Sequence, residues 1–312
     1  MNKAPAAEPA FEARPEHHHH YILGGHSFGV GKAAPGLHIV ATPIGNLGDI
    51  TVRALETLAG ADLIACEDTR VTRKLLDRYG IATPVTPYHD HNAAIARPKL
   101  LQRLARGEAV ALVSDAGTPL ISDPGFKLVR AVAEAGSPLN ALPGASATLA
   151  ALAVAGLPTD RFFFAGFLPP KQVARRAAIA DLARIPATLV LFETGPRIAA
   201  TLADLAEGLG AREAAVCREL TKLHEEVRRG GLAELAEAFA SGSEELRGEF
   251  VVVVGPPAET AQPSAAEADR LLRQALARVS LKDAVGEVAL ATGLSRRDLY
   301  QRALELAKER GQ

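Results

Sequence analysis

The chain has 312 residues, 48% of them hydrophobic and 23% charged, with 35 basic and 36 acidic side chains and a formal net charge of −1. That length accommodates two domains and an appendage, and the balanced charge excludes a protein-wide field that draws in nucleic acid, leaving only local patches for such binding. The longest strongly apolar runs, such as Phe250 to Val254, are far too short to span a bilayer, and no charged segment followed by a sustained apolar core opens the chain. A cytoplasmic protein with no membrane partner is therefore expected.

Residues 1–36 are rich in Ala, Pro, Gly and His without any period, which predicts a flexible N-terminal extension. The run His17-His18-His19-His20 reads as an adventitious metal binder or part of a tag, and no functional metal site is expected. Gly29-Val30-Gly31-Lys32 imitates a phosphate loop but fails the pattern. His26 stands where the first Gly belongs, and Ala33 replaces the Ser or Thr.

From Leu37 strands and helices alternate. Strands are predicted at Leu37 to Ala41, Asp62 to Cys66, Ala109 to Val113 and Leu139 to Leu142. Helices are predicted at Ile50 to Ala59, with Asp49 or Thr51 as cap, and at Val71 to Tyr79, Ala94 to Arg106 and Phe126 to Ala135. This alternation implies a largely parallel sheet covered by helices over 37–147. A second α/β domain is expected over 148–256. Its strands are placed at Phe162 to Ala165, Thr188 to Phe192, Ala214 to Cys217 and Phe250 to Val254. Its helices are a small-residue helix ending at Ala155, then Lys171 to Ala183, Arg197 to Leu209 and Leu232 to Ser241. Cys66 and Cys217, the only cysteines, lie in apolar strand contexts without a CxxC neighbour and read as buried thiols in a reducing compartment.

Residues 257–265 read as a linker, and 266–312 as a helical element. Leu281 to Thr292, the break Gly293-Leu294, then Ser295 to Leu306 has helix-turn-helix form, with Ser295 and Asp298 spaced as a capping box. Arg296, Arg297 and Arg302 give the last helix a basic side, compatible with a solvated face or with a nucleic-acid contact.

Three loops carry the chemistry of the first domain: Pro43-Ile44-Gly45-Asn46-Leu47-Gly48, Ser114 through Gly125, and Pro143-Gly144-Ala145-Ser146. Each follows a predicted strand and is built from small residues that let a ligand approach the main chain. In open α/β sheets ligands sit at that carboxyl edge. The fingerprint GxGxxG is absent from all three, so no dinucleotide site is expected.

These loops stand in order with Ala65-Cys66-Glu67-Asp68-Thr69-Arg70 and His89-Asp90-His91-Asn92. Further on come Gly156-Leu157-Pro158-Thr159-Asp160-Arg161-Phe162, Gly166-Phe167-Leu168-Pro169 and Arg218-Glu219-Leu220-Thr221-Lys222. The series closely resembles the bacterial small-subunit rRNA ribose 2′-O-methyltransferases of tetrapyrrole-methylase type, from about Leu37 to Gly255, and the helical tail resembles their C-terminal element. The resemblance implies a class III S-adenosylmethionine-dependent methyltransferase with two α/β domains, a cleft between them and a small C-terminal helical element. It also implies a homodimer, and as substrate a cytidine ribose in the decoding region of 16S rRNA within the small ribosomal subunit. By similarity Pro43, Asp115, Ala116, Gly117, Thr118, Ile121, Ala145, Ser146, Phe192 and Glu193 line the cofactor pocket. Relatives often carry His before the residue matching Arg197; here it is Pro196, which weakens a catalytic role there.

Transfer to a ribose hydroxyl needs donor and acceptor held in line, and a base assists loss of the hydroxyl proton. Candidate bases are Glu67, Asp68, His89, Asp90 and Glu219, with Arg70 and Lys222 orienting phosphate or hydroxyl. A structural reading stands beside each: Glu67, Asp68 and Arg70 as an ion-paired helix start, His89 and His91 as an ordinary loop pair. Two rival functions are a tetrapyrrole-precursor methyltransferase of the same fold and a non-enzymatic nucleic-acid-binding regulator.

Overall fold

The computed structural model describes residues 19–241, 246–257 and 265–309. These fall into two compact units, one of residues 19–182 with 187–255, the other of 183–186 with 256–309. His17 and His18 of the histidine run, and 258–264 of the expected linker, lie outside the described residues.

The first unit opens with an antiparallel hairpin, β1 (His20–Leu23) and β2 (His26–Gly29). This departs from the expected flexible extension. Gly24 and Gly25 take φ of 58° and 83°, the turn that matches strand twist in a two-residue hairpin loop. Tyr21 stacks on Phe28 with ring centroids 5.3 Å apart and buries itself beside Leu76 and Tyr79. The Ile22 N–H donates to the Tyr79 carbonyl at 2.7 Å. Lys32 of the false phosphate loop pairs with Asp62 at 3.0 Å.

Next come five parallel strands: β3 (Gly36–Val40), β4 (Leu63–Cys66), β5 (Val85–Pro87), β6 (Ala109–Val113) and β7 (Leu139–Leu142). They lie in the order β5-β4-β6-β3-β7. β4 and β6 are buried along their whole length, because helices cover both faces, and this explains their continuous apolar runs. The covering helices are α1 (Val52–Gly60), α2 (Thr69–Arg78), α3 (Ala93–Ala105) and α4 (Phe126–Glu134). Thr51 caps α1 by accepting from the Ala54 N–H, as one of the two expected caps.

The helix α5 (Ala147–Ala155) leads into a second sheet of β8 (Phe162–Phe167), β9 (Thr188–Thr194), β10 (Glu213–Arg218), β11 (Glu226–Gly231) and β12 (Glu249–Val254), ordered β11-β10-β12-β9-β8. Only the β8–β9 pair is parallel. The helices α6 (Gln172–Leu182), α7 (Gly195–Leu209) and α8 (Leu232–Ser241) complete this half. Ile44, from the loop after β3, packs among α5, β10 and β12 residues, so one core joins the two halves of this unit.

The second unit is a three-helix element: α9 (Ala265–Leu276), α10 (Leu281–Thr292) and α11 (Arg296–Glu309). Leu272, Ala284, Val288, Leu299 and Ala303 form its core. Gly293 ends α10 at φ 70°, as the break Gly293-Leu294 predicted. The side-chain cap on α10 is Ser280, which accepts from the Asp283 N–H at 3.3 Å.

Candidate active site

In the first sheet β3 lies between β6 and β7, so the loops that follow these three strands leave the same carboxyl edge side by side. Hydrogen bonds tie them together. Thr42 and Gly117 exchange backbone bonds at 2.9 and 3.0 Å. The Thr42 hydroxyl donates to the Ser114 carbonyl, and the Thr118 hydroxyl donates to the Ala145 carbonyl. Gly117 makes its close approach to Thr42 at φ 77°, a conformation an L side chain adopts only with strain. The Asp68 N–H donates to the Asp115 carboxylate at 3.0 Å, which fastens the start of α2 to the same loop.

Facing these loops are the end of β9, the end of β10 and the start of β12. A cavity of about 220 Å³ lies between the two walls. One wall carries Ile44, Ala116, Gly117, Thr118, Ile121 and Ser146; the other carries Phe192, Glu193, Glu219, Leu220 and Lys222. Phe192 is braced edge-on by Phe164 and Phe167, with centroids 4.9 and 5.7 Å away. The structure thus brings together seven of the ten residues expected around the cofactor. Pro43, Asp115 and Ala145 are not in the lining; Asp115 is tied to Asp68, and Ala145 to Thr118 of the lining.

Four non-glycine residues among those described have positive φ: Leu120 at 76°, Ser122 at 65°, Glu219 at 48° and Thr221 at 67°; Ser122 and Glu219 line this cavity, and Leu120 and Thr221 lie within two residues of them in the chain. Each costs on the order of 1–3 kcal/mol, and such costs gather where function fixes a backbone.

The carboxylates of the cavity differ in their partners. Glu193 is almost fully buried and spent internally: it accepts from the Thr194 N–H and the Thr201 hydroxyl and pairs with Arg197 at 3.2 Å. Its side chain serves the start of α7. Pro196 occupies the first turn of that helix, where a missing N–H matters least. Glu219 accepts from the Lys222 ammonium at 2.8 Å and from the Glu249 N–H at 2.9 Å. Burial pushes the Glu219 carboxyl up, but those bonds outweigh it and hold the group below its ordinary value. Lys222 also pairs with Glu249 at 2.8 Å and stays firmly protonated; burial opposes its charge, and the two carboxylates more than restore it.

Asp123, which the sequence reading missed, lines the cavity with no cation paired to it among the described residues. Burial, then the charges of Glu67 and Asp115, push its carboxyl up to about 6, against the opposing hydrogen bond from Ser114. No local signal in Ser122-Asp123-Pro124 marks this. The residue reaches the cavity because Leu120 and Ser122 reverse the chain. A carboxyl raised in the folded state contributes stability that is complete below its ordinary value and is lost as pH rises through about 6. The Asp123→Asn variant is accordingly expected to lose less thermal stability than the parent between pH 5 and 7; parallel melting curves across that range would refute this.

The remaining catalytic candidates lie outside the cavity lining. Asp68 caps α2 by accepting from the Arg70 N–H and holds the Arg70 guanidinium at 2.6 Å. The Arg70 bond keeps the Asp68 carboxyl down at about 2, far too acidic for a base near neutrality. Their side chains form the ion-paired helix start that was set beside the catalytic reading. The His89 N–H donates to the Asn92 side chain, whose amide in turn donates to the Pro87 carbonyl, and His89 stacks edge-on to His91 at 6.0 Å. These bonds close a turn before α3 but leave the buried His89 Nδ1 without a hydrogen-bond partner among the described residues. Glu67 is raised by burial and by Asp115 and Asp90. Cys217 borders the cavity as a buried thiol pushed up to about 11 by desolvation, and Cys66 is raised by burial too, so both are inert thiols.

Among the described residues the lining holds Asp123, Glu193, Glu219 and Glu249 against Lys222, with Arg197 pairing Glu193 from behind, so the cavity suits a ligand carrying positive charge, and its apolar surfaces suit a flat ring. Residues 36–236 match the family of tetrapyrrole (corrin/porphyrin) methylases, and 262–307 match the RsmI C-terminal HTH domain. The chain is 51% identical over 279 residues to ribosomal RNA small subunit methyltransferase I of Mesorhizobium japonicum, covering 89% of this chain and 94% of that one. It is 53% identical to the protein of that name from Erythrobacter litoralis, covering 90% and 99%. Among solved structures, the cobalamin biosynthetic enzyme cobalt precorrin-4 methyltransferase shares the fold at TM-score 0.53 and 18% identity, over 70% of this chain and 94% of that one. Diphthine synthase does so at 0.55 and 19%, over 70% and 89%. The chain belongs to the ribosomal RNA small subunit methyltransferase I family, within the tetrapyrrole methylases.

Proposed function

We propose that the protein transfers the methyl group of S-adenosylmethionine to the ribose 2′ oxygen of a cytidine in the decoding region of 16S rRNA. The chain is an S-adenosylmethionine-dependent methyltransferase by its family. The observation that carries the reading is the acidic, apolar-walled cavity at the edge of the first sheet. The rRNA substrate is favoured over a tetrapyrrole precursor by curated relatives named ribosomal RNA small subunit methyltransferase I and by the matched C-terminal helical domain. A regulator without catalysis leaves the cavity unexplained.

When bound, the cofactor supplies an activated methyl group on a sulfonium. The protein's own part is alignment and proton handling. Backbone groups of Ala116 to Thr118 and the apolar surfaces of Ile44, Phe192 and Leu220 hold and orient the donor. Holding donor and acceptor in line is worth roughly 7–11 kcal/mol. Asp123 is the cavity carboxylate suited to accept the hydroxyl proton, because no cation holds it ionised. A placed base of this kind contributes about 10²–10⁴-fold. Lys222 has three N–H donors, two of them given to Glu219 and Glu249, and the third is free for the acceptor oxygen or a neighbouring phosphate.

The test is incubation with labelled S-adenosylmethionine and small ribosomal subunits that lack the modification. Label at a single ribose of 16S rRNA is expected; unlabelled rRNA with labelled uroporphyrinogen would reverse the assignment. We further infer a homodimer acting in the cytoplasm. Among the described residues no helix is long and apolar enough to cross a membrane. The open edge strand β8 exposes Phe162 and Phe163 at 44% and 42%, an apolar edge that a second copy would cover. Light scattering at the monomer mass would refute the dimer.

A further inference from the structure

We propose that the groove between α10 and α11 is an RNA-binding surface that takes the phosphodiester backbone of the substrate RNA. It lies wholly within the three-helix unit, and its walls carry Lys282, Arg296, Arg297, Tyr300 and Gln301, with Gly286 between them. Its charges are unevenly engaged. Of the two acids, Glu287 is held by Arg278 at 2.9 Å, and Asp283 is bonded to the Ser280 hydroxyl at 2.6 Å. Lys282, Arg296 and Arg297 are exposed, and none has an ion-pair partner among the described residues. Elsewhere in this unit Arg270, Arg278 and Arg302 are all paired with carboxylates. The groove therefore presents three cations with no ion-pair partner among the described residues, unlike Arg270, Arg278 and Arg302.

Two further features fit a ligand better than they fit the fold. Arg296 and Arg297 open α11, where positive charge opposes the helix dipole and costs about 0.3–1 kcal/mol per residue. Gly286 stands in the middle of α10, where glycine costs about 0.5–1 kcal/mol relative to alanine. No packing demands it, since an added Cβ would meet nothing within 4 Å. A helix optimised only for packing on its neighbours would have neither. Tyr300, 46% exposed beside the cations, offers a ring face for stacking against an unpaired base. Free cations, an open floor and an exposed ring match single-stranded or looped RNA.

The inference rests on the proposed rRNA substrate only for the choice of probe. Full-length protein is titrated with a fluorescein-labelled hairpin RNA of decoding-region sequence at several salt concentrations, and with a duplex DNA of equal length. The variant Arg296→Glu/Arg297→Glu is compared with a control of equal net charge, Arg130→Glu/Arg270→Glu, whose arginines are ion-paired. Losing two phosphate contacts is expected to weaken RNA binding about tenfold near physiological salt and to flatten the logarithmic salt slope by about 1.5. The control keeps the parent slope. Cofactor affinity by calorimetry and the helical circular dichroism melt are expected to match the parent, which shows that both units remain folded. An unchanged RNA affinity and slope, an equal loss in the control, or preference for the duplex DNA would overturn the proposal. Absence of methyl transfer by the parent would instead refute the proposed function and leave the binding measurement standing.

Discussion

Replacing Asp204 with alanine is expected to cost about 3–5 kcal/mol of folding stability, the range for removing one partner of a buried ion pair. Asp204 in α7 is 2% exposed, and Arg175 in α6 is 5% exposed. One carboxylate oxygen accepts from the Arg175 Nε at 2.7 Å; the other accepts from the Arg176 Nε at 2.8 Å and from the Gln172 amide. Burial pushes the Asp204 carboxyl up, yet the bonds from Arg176, Arg175 and Gln172 prevail and hold it below its ordinary value. Without the carboxylate, the Arg175 guanidinium is left buried with only the Pro170 carbonyl as acceptor. Arg176 is about half exposed and keeps Glu207, so it loses little. In a domain of this size the loss lowers the melting temperature by about 10 °C. The pH dependence has a definite sign. A depressed carboxyl contributes stability above its unfolded value and loses it as pH falls through the folded one, so parent and variant converge in acid. Calorimetric melts at neutral and acid pH check both statements. A shift of a degree or two at neutral pH would mean that α6 and α7 are held by their apolar contacts alone. Replacing the pair together, Asp204→Leu with Arg175→Met, is expected to recover most of the loss, since no charge is then stranded.

Much of this fold was legible because the parallel sheet is buried on both sides. Strands such as Ala109–Val113 write their burial as uninterrupted apolar runs, and the small-residue loops after them mark the carboxyl edge. Edge elements carry no such mark. β11 reads Glu-Val-Arg-Arg-Gly-Gly and owes its place to pairing with β10, not to its own pattern. β5 is three residues long and ends in proline, which an edge strand tolerates. The hairpin at 20–29 hides in a Gly- and His-rich stretch, because its one deeply buried side chain, Tyr21, gives no period. The site divides in the same way. Residues that meet the cavity through loop backbone were visible in the sequence. Asp123 was not, because its position depends on two residues at positive φ. For Asp68 and Arg70 the sequence places the pair near the edge, and only the geometry shows the two side chains paired with each other.

Replacing Lys222 with methionine is expected to slow methyl transfer by about 10²–10³-fold, the scale for losing one preorganised donor, here one that orients the acceptor hydroxyl and eases loss of its proton. Among the described residues Lys222 is the only cation lining the cavity, and its position is fixed from three directions. Glu219 and Glu249 each accept from its ammonium at 2.8 Å, and its aliphatic stem lies over Gly45 of the loop after β3. A Cβ added at Gly45 would stand 2.4 Å from the Lys222 Cγ, so only glycine leaves room for the stem. Methionine keeps the length and apolar body of the stem while removing the charge, so cofactor affinity measured by calorimetry should change far less than the single-turnover rate. Without the ammonium, Glu219 loses the strongest bond that opposes its burial, and its carboxyl rises. The rate is then expected to acquire a new pH dependence that the parent lacks. Gly45→Ala tests the same contact from the other side: it should displace the stem, lower the rate, and add little to Lys222→Met in the double variant, since residues in contact do not act additively. A Lys222→Met enzyme with the parental rate, or fully additive losses in the double variant, would confine the Glu219–Lys222–Glu249 cluster to bracing the cavity wall.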